Sequence, residues 1–179
     1  EFNKDIKIIL AGRLLKDKGI DDYLTLSKNF NQKNVNFFLA GDLDIGNPKS
    51  LSQNELDIIK EDSSLNYLGY IDLQKELHNY DLLLSLSDHE GFSRVLLEAM
   101  YVGLFVVAYE NNGTTYIDNF DNTILLNSKN KNNLEDTINK FLTQEKFVSK
   151  QNRKQIEISY STQKVASQFA NIYNKKNEG

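Results

Sequence analysis

Leu82 to Ala108 reads LLLSLSDHEGFSRVLLEAMYVGLFVVA, and this stretch decides the fold. The run from Leu82 to Leu86, apolar but for Ser85, reads as a strand buried on both faces, because a strand with one wet face would alternate. A polar loop follows from Ser87 to Glu90, and a helix is expected from about Phe92 to Val102, opening near Gly91 or Phe92. Gly103 breaks the pattern, and Phe105 to Ala108 returns to strand. A strand, a loop, a helix and a second strand in so short a span form the unit of a parallel sheet joined by helical crossovers.

The same alternation extends in both directions. Ile6 to Ala11, ending in Gly12, and Val35 to Ala40, ending in Gly41, are two further buried strands. Between them a helix begins at Asp21 and Asp22 and carries Tyr23, Leu24, Leu26 and Phe30. Downstream, Leu51 to Ile59 fits a helix and Leu65 to Leu68 a strand, and Asp72 stands where it can cap a helix bearing Leu73, Leu77 and Tyr80. Thr123 to Leu126 is a weaker strand. From Leu134 the period is helical, through Ile138, Phe141 and Leu142 and again through Val165, Phe169, Ile172 and Tyr173, with the tail beyond expected to fray. The expectation is one α/β domain over residues 1–179, a Rossmann-like three-layer α/β/α fold with a parallel sheet and C-terminal helices at about 134–174.

Composition narrows the chemistry. The chain has 179 residues, a net charge of −4, two His and no Cys. The absence of Cys removes thiol catalysis, disulfides and Cys-ligated zinc, and His78 and His89 alone do not make a His-based metal centre. His89 reads as a loop residue beside the site, and His78 as structural or exposed. With 25 acidic against 21 basic side chains, nucleic acid is not the expected partner. No apolar run reaches membrane-span length. The start, Glu1-Phe2-Asn3-Lys4-Asp5, lacks an initiator Met and a signal-peptide pattern, so a fragment of a longer cytoplasmic protein is expected.

In an open parallel sheet, ligands bind where the strands end at their carboxyl side. Three such ends carry chemistry. After the first strand, Gly12 permits close backbone approach, and Arg13 and Lys18 can converge on a diphosphate; each alone reads equally as a solvated loop cation. Neither a Walker loop nor a dinucleotide Gly-x-Gly-x-x-Gly is present. In the second, Ser87 to Met100, the helix start offers N–H groups to an anion, and Glu98 stands in an otherwise apolar helix. If Glu90 and Glu98 shared that helix, their carboxylates would lie roughly 12 Å apart along it. The third, Glu110 to Thr115, can present N–H groups and hydroxyls around Gly113 and Thr114. Asp42 and Asp44 read as solvated acids or hydroxyl acceptors, with a metal disfavoured.

Gly12-Arg13-Leu14 with Lys18-Gly19, Gly69-Tyr70, Ser87-x-x-Glu90-Gly91-Phe92, Glu98-Ala99-Met100 and Gly103 before Val106-Val107-Ala108 together resemble the carboxyl-terminal domain of retaining GT-B glycosyltransferases of the group 1 type. The resemblance runs in order from about Ile6 to Leu142. It implies that Arg13 and Lys18 hold the diphosphate of a nucleotide sugar, with Gly12 and backbone groups of Gly91, Phe92 and Ser93. Glu98 would accept from the ribose, Glu90 would face the transferred sugar, and Tyr70 and Ile71 would cradle the base. Glu90, Arg13 and Lys18 would be the catalytic groups.

The resemblance also implies a UDP-sugar, favoured over a GDP-sugar, no required cofactor or metal, and a glycan or lipid-linked acceptor. The acceptor-binding N-terminal domain is absent from this chain, so the fragment is expected to transfer little sugar by itself. A bacterial surface polysaccharide or glycolipid pathway, a cytoplasmic location and peripheral contact of the full-length protein with the inner face of the membrane complete the expectation. Tyr116 stands where family members commonly carry an acid. A non-catalytic Rossmann-like nucleotide-binding or regulatory module is the alternative; a hydride-using epimerase is disfavoured because its fingerprint is missing.

Overall fold

In the computed structural model, the central strands are apolar on both faces because helices cover both. The structure describes residues 5–127, 133–143, 150–161, 163, 164 and 167. Six strands form one sheet: β1 (Ile6–Ala11), β2 (Val35–Ala40), β3 (Asn66–Gly69), β4 (Leu82–Ser85), β5 (Phe105–Tyr109) and β6 (Thr123–Leu126). Their order is β3-β2-β1-β4-β5-β6, and every neighbouring pair is parallel. The chain therefore winds outward from β1 to one edge, returns to β4 beside β1, and winds to the other edge.

Alternate residues of each strand feed two cores. Ile8 and Leu10 point to the layer formed by α1 (Ile20–Asn29), α2 (Gln53–Glu61) and α5 (Asn133–Leu142). Ile9, Leu83 and Val106 point to the opposite layer, which contains α4 (Arg94–Val102) and α6 (Lys150–Tyr160). The short α3 (Leu73–Glu76) continues into a 3-10 turn at Leu77–Asn79. This is the three-layer arrangement expected from the sequence. The helical pattern read at Val165, Phe169, Ile172 and Tyr173, and the tail beyond, lie outside the described residues.

Helix starts differ more than strand bounds. The second helix begins at Gln53 rather than Leu51 because Ser52 caps it: its hydroxyl accepts from the Glu55 N–H, and Glu55 accepts in return from the Ser52 N–H. Asp72 occupies the cap position of α3 but makes no capping bond there, and its carboxylate pairs instead with Lys75 Nζ at 3.0 Å. Tyr80 lies beyond the helix expected to carry it, which tightens and stops at Asn79. Most consequential, α4 opens at Arg94 with Ser93 as its N-cap, two residues later than expected at Phe92.

One buried tyrosine ties the first core together. Tyr23 is fully buried, and its hydroxyl lies 2.8 Å from the Phe38 carbonyl and 3.0 Å from that of Ile8, while accepting from the Phe38 N–H at 3.0 Å. Burial pushes its phenol far above the ordinary range. Tyr23→Phe is expected to remove these bonds at constant shape and destabilise the chain by about 1–3 kcal/mol. A thermal denaturation midpoint within a degree of wild type would contradict this.

Candidate donor site at the switch point

The winding reverses between β1 and β4, and the loops leaving these two neighbours open a crevice at their carboxyl ends. A cavity of about 250 Å³ fills it, lined among others by Gly12, Arg13, Lys18, Ser87, Glu90 and Phe92 to Val95. Residues separated by some eighty positions in sequence thus converge because two strands lie side by side.

Lys18 reaches the β4 side through a tight packing contact. It closes a 3-10 turn at Lys16–Lys18, and Gly19 follows with φ +70. A Cβ on Gly19 would overlap the Leu86 carbonyl, so only glycine lets the turn rest on the end of β4. The Asp88 N–H donates to the Asp17 carbonyl at 3.1 Å, closing the junction.

Lys18 Nζ and Glu90 Oε1 form an ion pair whose side chains are 20% and 18% exposed, too sheltered to be a screened surface pair. Ser87, itself buried, donates from Oγ to the same Oε1 at 3.1 Å. One carboxylate oxygen is thus fixed twice. Oε2 takes no hydrogen bond among the described residues. The Ser-x-x-Glu spacing of Ser87 and Glu90 is the sequence signal that could have drawn Ser87 into the site.

Arg13 is more exposed. Its Nη1 donates to Asp44 Oδ2 at 2.6 Å, and Asn47 Nδ2 donates to the same oxygen at 2.9 Å. The Asn47 amide first, and then the Arg13 guanidinium, hold the Asp44 carboxyl below the usual carboxylate range. Asp44, read from sequence as a solvated acid or hydroxyl acceptor, is a counter-ion for a site cation. Asp42 accepts from the Tyr67 hydroxyl at 3.2 Å.

A second cavity of about 280 Å³ adjoins the first, sharing Ala11, Gly12, Arg13 and Leu73, and is lined also by Tyr70, Ile71, Asp42 and Asp44. Tyr70 is 81% exposed, an open apolar face at the mouth of this cavity. Glu98 lines neither cavity; it sits on α4, its side chain 27% exposed, with Arg94 Nη2 at 3.7 Å.

The structure departs from the sequence expectations at three points. Glu90 is not helical, so no common helix separates it from Glu98, and its place is set by Lys18 and Ser87. Gly91 and Phe92 precede the helix rather than open it, because the Phe92 ring is drawn into a stack on Tyr116 with centroids 4.9 Å apart. The third loop turns its polar groups inward. The Thr114 hydroxyl donates to the Tyr109 carbonyl at 2.8 Å, and the N–H groups of Gly113, Thr114 and Thr115 all donate to Asn111. That loop supports Glu90 from behind: Asn111 Nδ2 donates to the Ser87 carbonyl at 3.0 Å, and Gly113 packs directly on the Glu90 backbone.

The arrangement can bind an anion. Arg13, Lys18 and the uncapped N-terminus of α4 face one cavity, and a helix start offers N–H groups and partial positive charge. Among the described residues, no helix is long and apolar enough to cross a membrane.

A family model described as "Glycosyl transferases group 1" matches residues 1–162. No curated protein matches the chain. Among solved structures, sucrose-phosphate synthase from Thermosynechococcus elongatus is similar at 20% identity and a TM-score of 0.81, over 97% of this chain and 46% of that one. Anabaena Alr3699/HepE in complex with UDP-glucose is similar at 20% identity and a TM-score of 0.75, over 97% and 49%. The C-terminal domain of a glycosyl transferase group 1 family protein (LpcC) from Francisella tularensis is similar at 19% identity and a TM-score of 0.69, over 89% and 88%. The chain spans less than half the length of the first two. At these identities the likeness shows the fold, which is the Rossmann-like α/β fold of GT-B glycosyltransferases.

Proposed function

Because this chain belongs to the glycosyl transferases group 1 family, we propose that it is the donor-binding, C-terminal domain of a retaining GT-B enzyme. The full-length enzyme would move a sugar from a nucleoside diphosphate, UDP ahead of GDP, to a glycan or lipid-linked acceptor. One observation carries the reading: Arg13, Lys18, Glu90 and the start of α4 line a single cavity at the switch point. The domain that binds the acceptor would lie in the part of the protein outside this chain, in keeping with the fraction of the longer structures that it covers. The Anabaena protein is described with UDP-glucose, which favours a UDP-sugar here too. Synthesis of a bacterial surface polysaccharide or glycolipid on the cytoplasmic side fits this chemistry, with any membrane contact made by the other domain.

The chemistry follows from the charges. As the glycosidic bond to the diphosphate breaks, negative charge grows on the leaving oxygen, where Lys18, Arg13 and the α4 N–H groups are already placed to meet it. Positive charge grows on the anomeric carbon, and Glu90, with Oε1 fixed by Lys18 and Ser87, has Oε2 left to stabilise it. Tyr70 and Ile71 supply an apolar seat for the base beside Gly12. Glu98, which lines neither cavity and whose ion-pair contact among the described residues is the long one to Arg94, would accept from ribose hydroxyls that project beyond the cavity.

Calorimetric titration of the chain with UDP, GDP and ADP, each with and without Mg²⁺, tests the site. UDP is expected to bind most tightly, and a folded chain that binds none of the three would overturn the assignment. In the full-length enzyme, Glu98→Ala should raise the KM for the donor by about tenfold with a smaller change in kcat, since it removes hydrogen bonds to a charged acceptor. Robust sugar transfer by the 179-residue chain alone would refute the two-domain reading. Binding with no turnover in the full-length protein would replace it with the regulatory module.

A further inference from the structure

The segment Gly91 to Ser93 has few supports of its own. Ser93 makes no side-chain capping bond, and among the described residues no turn or loop hydrogen bond of the main chain holds Gly91, Phe92 or Ser93. Two outside contacts hold it instead. The Tyr116 hydroxyl donates to the Ser93 carbonyl at 2.7 Å, and the Phe92 ring stacks on Tyr116 at an interplanar angle of 26°. Tyr160, the last residue of α6, then packs against both rings, with centroids 5.9 Å from Phe92 and 5.8 Å from Tyr116.

Helix α6 is itself firmly seated. Asn152 is 1% exposed and pairs with the main chain of Asp121, donating from Nδ2 to its carbonyl at 2.6 Å and accepting from its N–H at 2.9 Å. The Tyr101 hydroxyl donates to Glu157 at 3.0 Å, which fixes α6 against α4. Tyr160 is thus delivered from a fixed helix to the end of the loop at residues 91–93, for which no turn or loop hydrogen bond of the main chain is present among the described residues.

We propose that Phe92, Tyr116 and Tyr160 form an aromatic clamp that holds the phosphate-facing loop in register with Arg13 and Lys18, which makes Tyr116 and Tyr160 positioning residues for donor binding. The proposal rests on the donor-site reading above. Neither tyrosine touches the ligand; each acts through Phe92 and the Ser93 carbonyl. Anion recognition at a helix start depends on N–H direction, so a loop displaced by a fraction of an ångström loses affinity without loss of any charge. A phenol holds its proton throughout the neutral range, and burial raises that of Tyr116 further, so its donation to Ser93 does not titrate there.

The test uses the 179-residue chain with inorganic pyrophosphate as the probe, read by calorimetry, and amide hydrogen exchange on the free protein. Tyr160→Ala is expected to weaken pyrophosphate about tenfold and to speed exchange at residues 91–96 while β1 and β4 stay protected. Tyr160→Phe keeps the ring and should restore both. Tyr116→Phe, which removes only an oxygen, should weaken binding about fivefold and serves where the Ala variant fails to fold. Wild-type affinity in both Tyr160→Ala and Tyr116→Phe, unchanged exchange in either, or equal losses in Tyr160→Phe and Tyr160→Ala would overturn the clamp. Should wild type itself not bind pyrophosphate, the donor-site reading falls, and the exchange data alone decide whether the clamp orders the loop.

Discussion

Lys18→Ala should weaken pyrophosphate binding by about 100-fold, more than any other single change at the cavity. Two effects add. The variant removes a charge-assisted contact of about 1.5–3 kcal/mol. It also strips Glu90 of its cation, so a carboxylate only 18% exposed then confronts the ligand's negative charge. At about 5 Å and an effective dielectric of about 20, that repulsion is roughly 3 kcal/mol, most of which relaxation of the loop would recover, leaving a net loss of about 2.7 kcal/mol or about 100-fold. Glu90→Gln should do the opposite to binding, tightening pyrophosphate about tenfold by freeing Lys18, while sugar transfer by the full-length enzyme falls. The double variant should bind more tightly than Lys18→Ala alone, and the difference between the effect of Glu90→Gln in that background and in wild type measures the pair. Weaker pyrophosphate binding by Glu90→Gln would mean that Glu90 serves mainly to aim Lys18, and the competition argument would fail. Arg13, 65% exposed beside Asp44, should show a smaller loss, about tenfold, because solvent already screens it.

Structure is legible in this sequence where burial alone sets it and illegible where the partners are remote. Strand bounds fell within a residue or two, because β1, β2, β4 and β5 are apolar runs enclosed on both faces and nothing but burial specifies them. Helix starts depend on single contacts. The Ser52 and Glu55 box has a Ser-x-x-Glu signature that could have set the start of α2 at Gln53, whereas the late start of α4 goes with the packing of Tyr116 and Tyr160 on Phe92, which has no local signature. The cavity residues could be grouped in advance only through the rule that ligands sit at the switch point, which makes neighbours of Gly12-Arg13 and Ser87 to Ser93. The partners of the cations were not legible. Asp44 is 31 positions from Arg13, and Glu90 is 72 from Lys18. Thr114 looked like a donor toward a ligand because hydroxyls in Gly-rich loops often are; the fold turned it inward to close its own loop.

Gly113→Ala should lower the thermal midpoint by about 5–10 °C, whereas Gly91→Ala, next to Glu90 in sequence, should leave it within about 2 °C. A Cβ on Gly113 would overlap the Glu90 carbonyl and lie 2.7 Å from the Glu90 Cβ, so the obstacle is main chain and cannot swing aside. The loop cannot retreat either, since Asn111 is bonded to the Ser87 carbonyl and Thr114 to that of Tyr109. Overpacking of this kind costs about 1–3 kcal/mol, and in a chain of this size each kcal/mol moves the midpoint by about 2–4 °C. Gly91 has nothing within 4 Å of its own Cβ position, so its methyl meets open space. The variants should then separate stability from recognition. Gly113→Ala displaces Glu90 from Lys18 and Ser87 and destabilises the fold, while Gly91→Ala leaves the fold intact and intrudes only if a phosphate approaches its backbone closely. Equal midpoints for the two variants would show that the Glu90 loop is not pinned from behind, and with it would go the argument that Glu90 is held by its surroundings before a donor arrives.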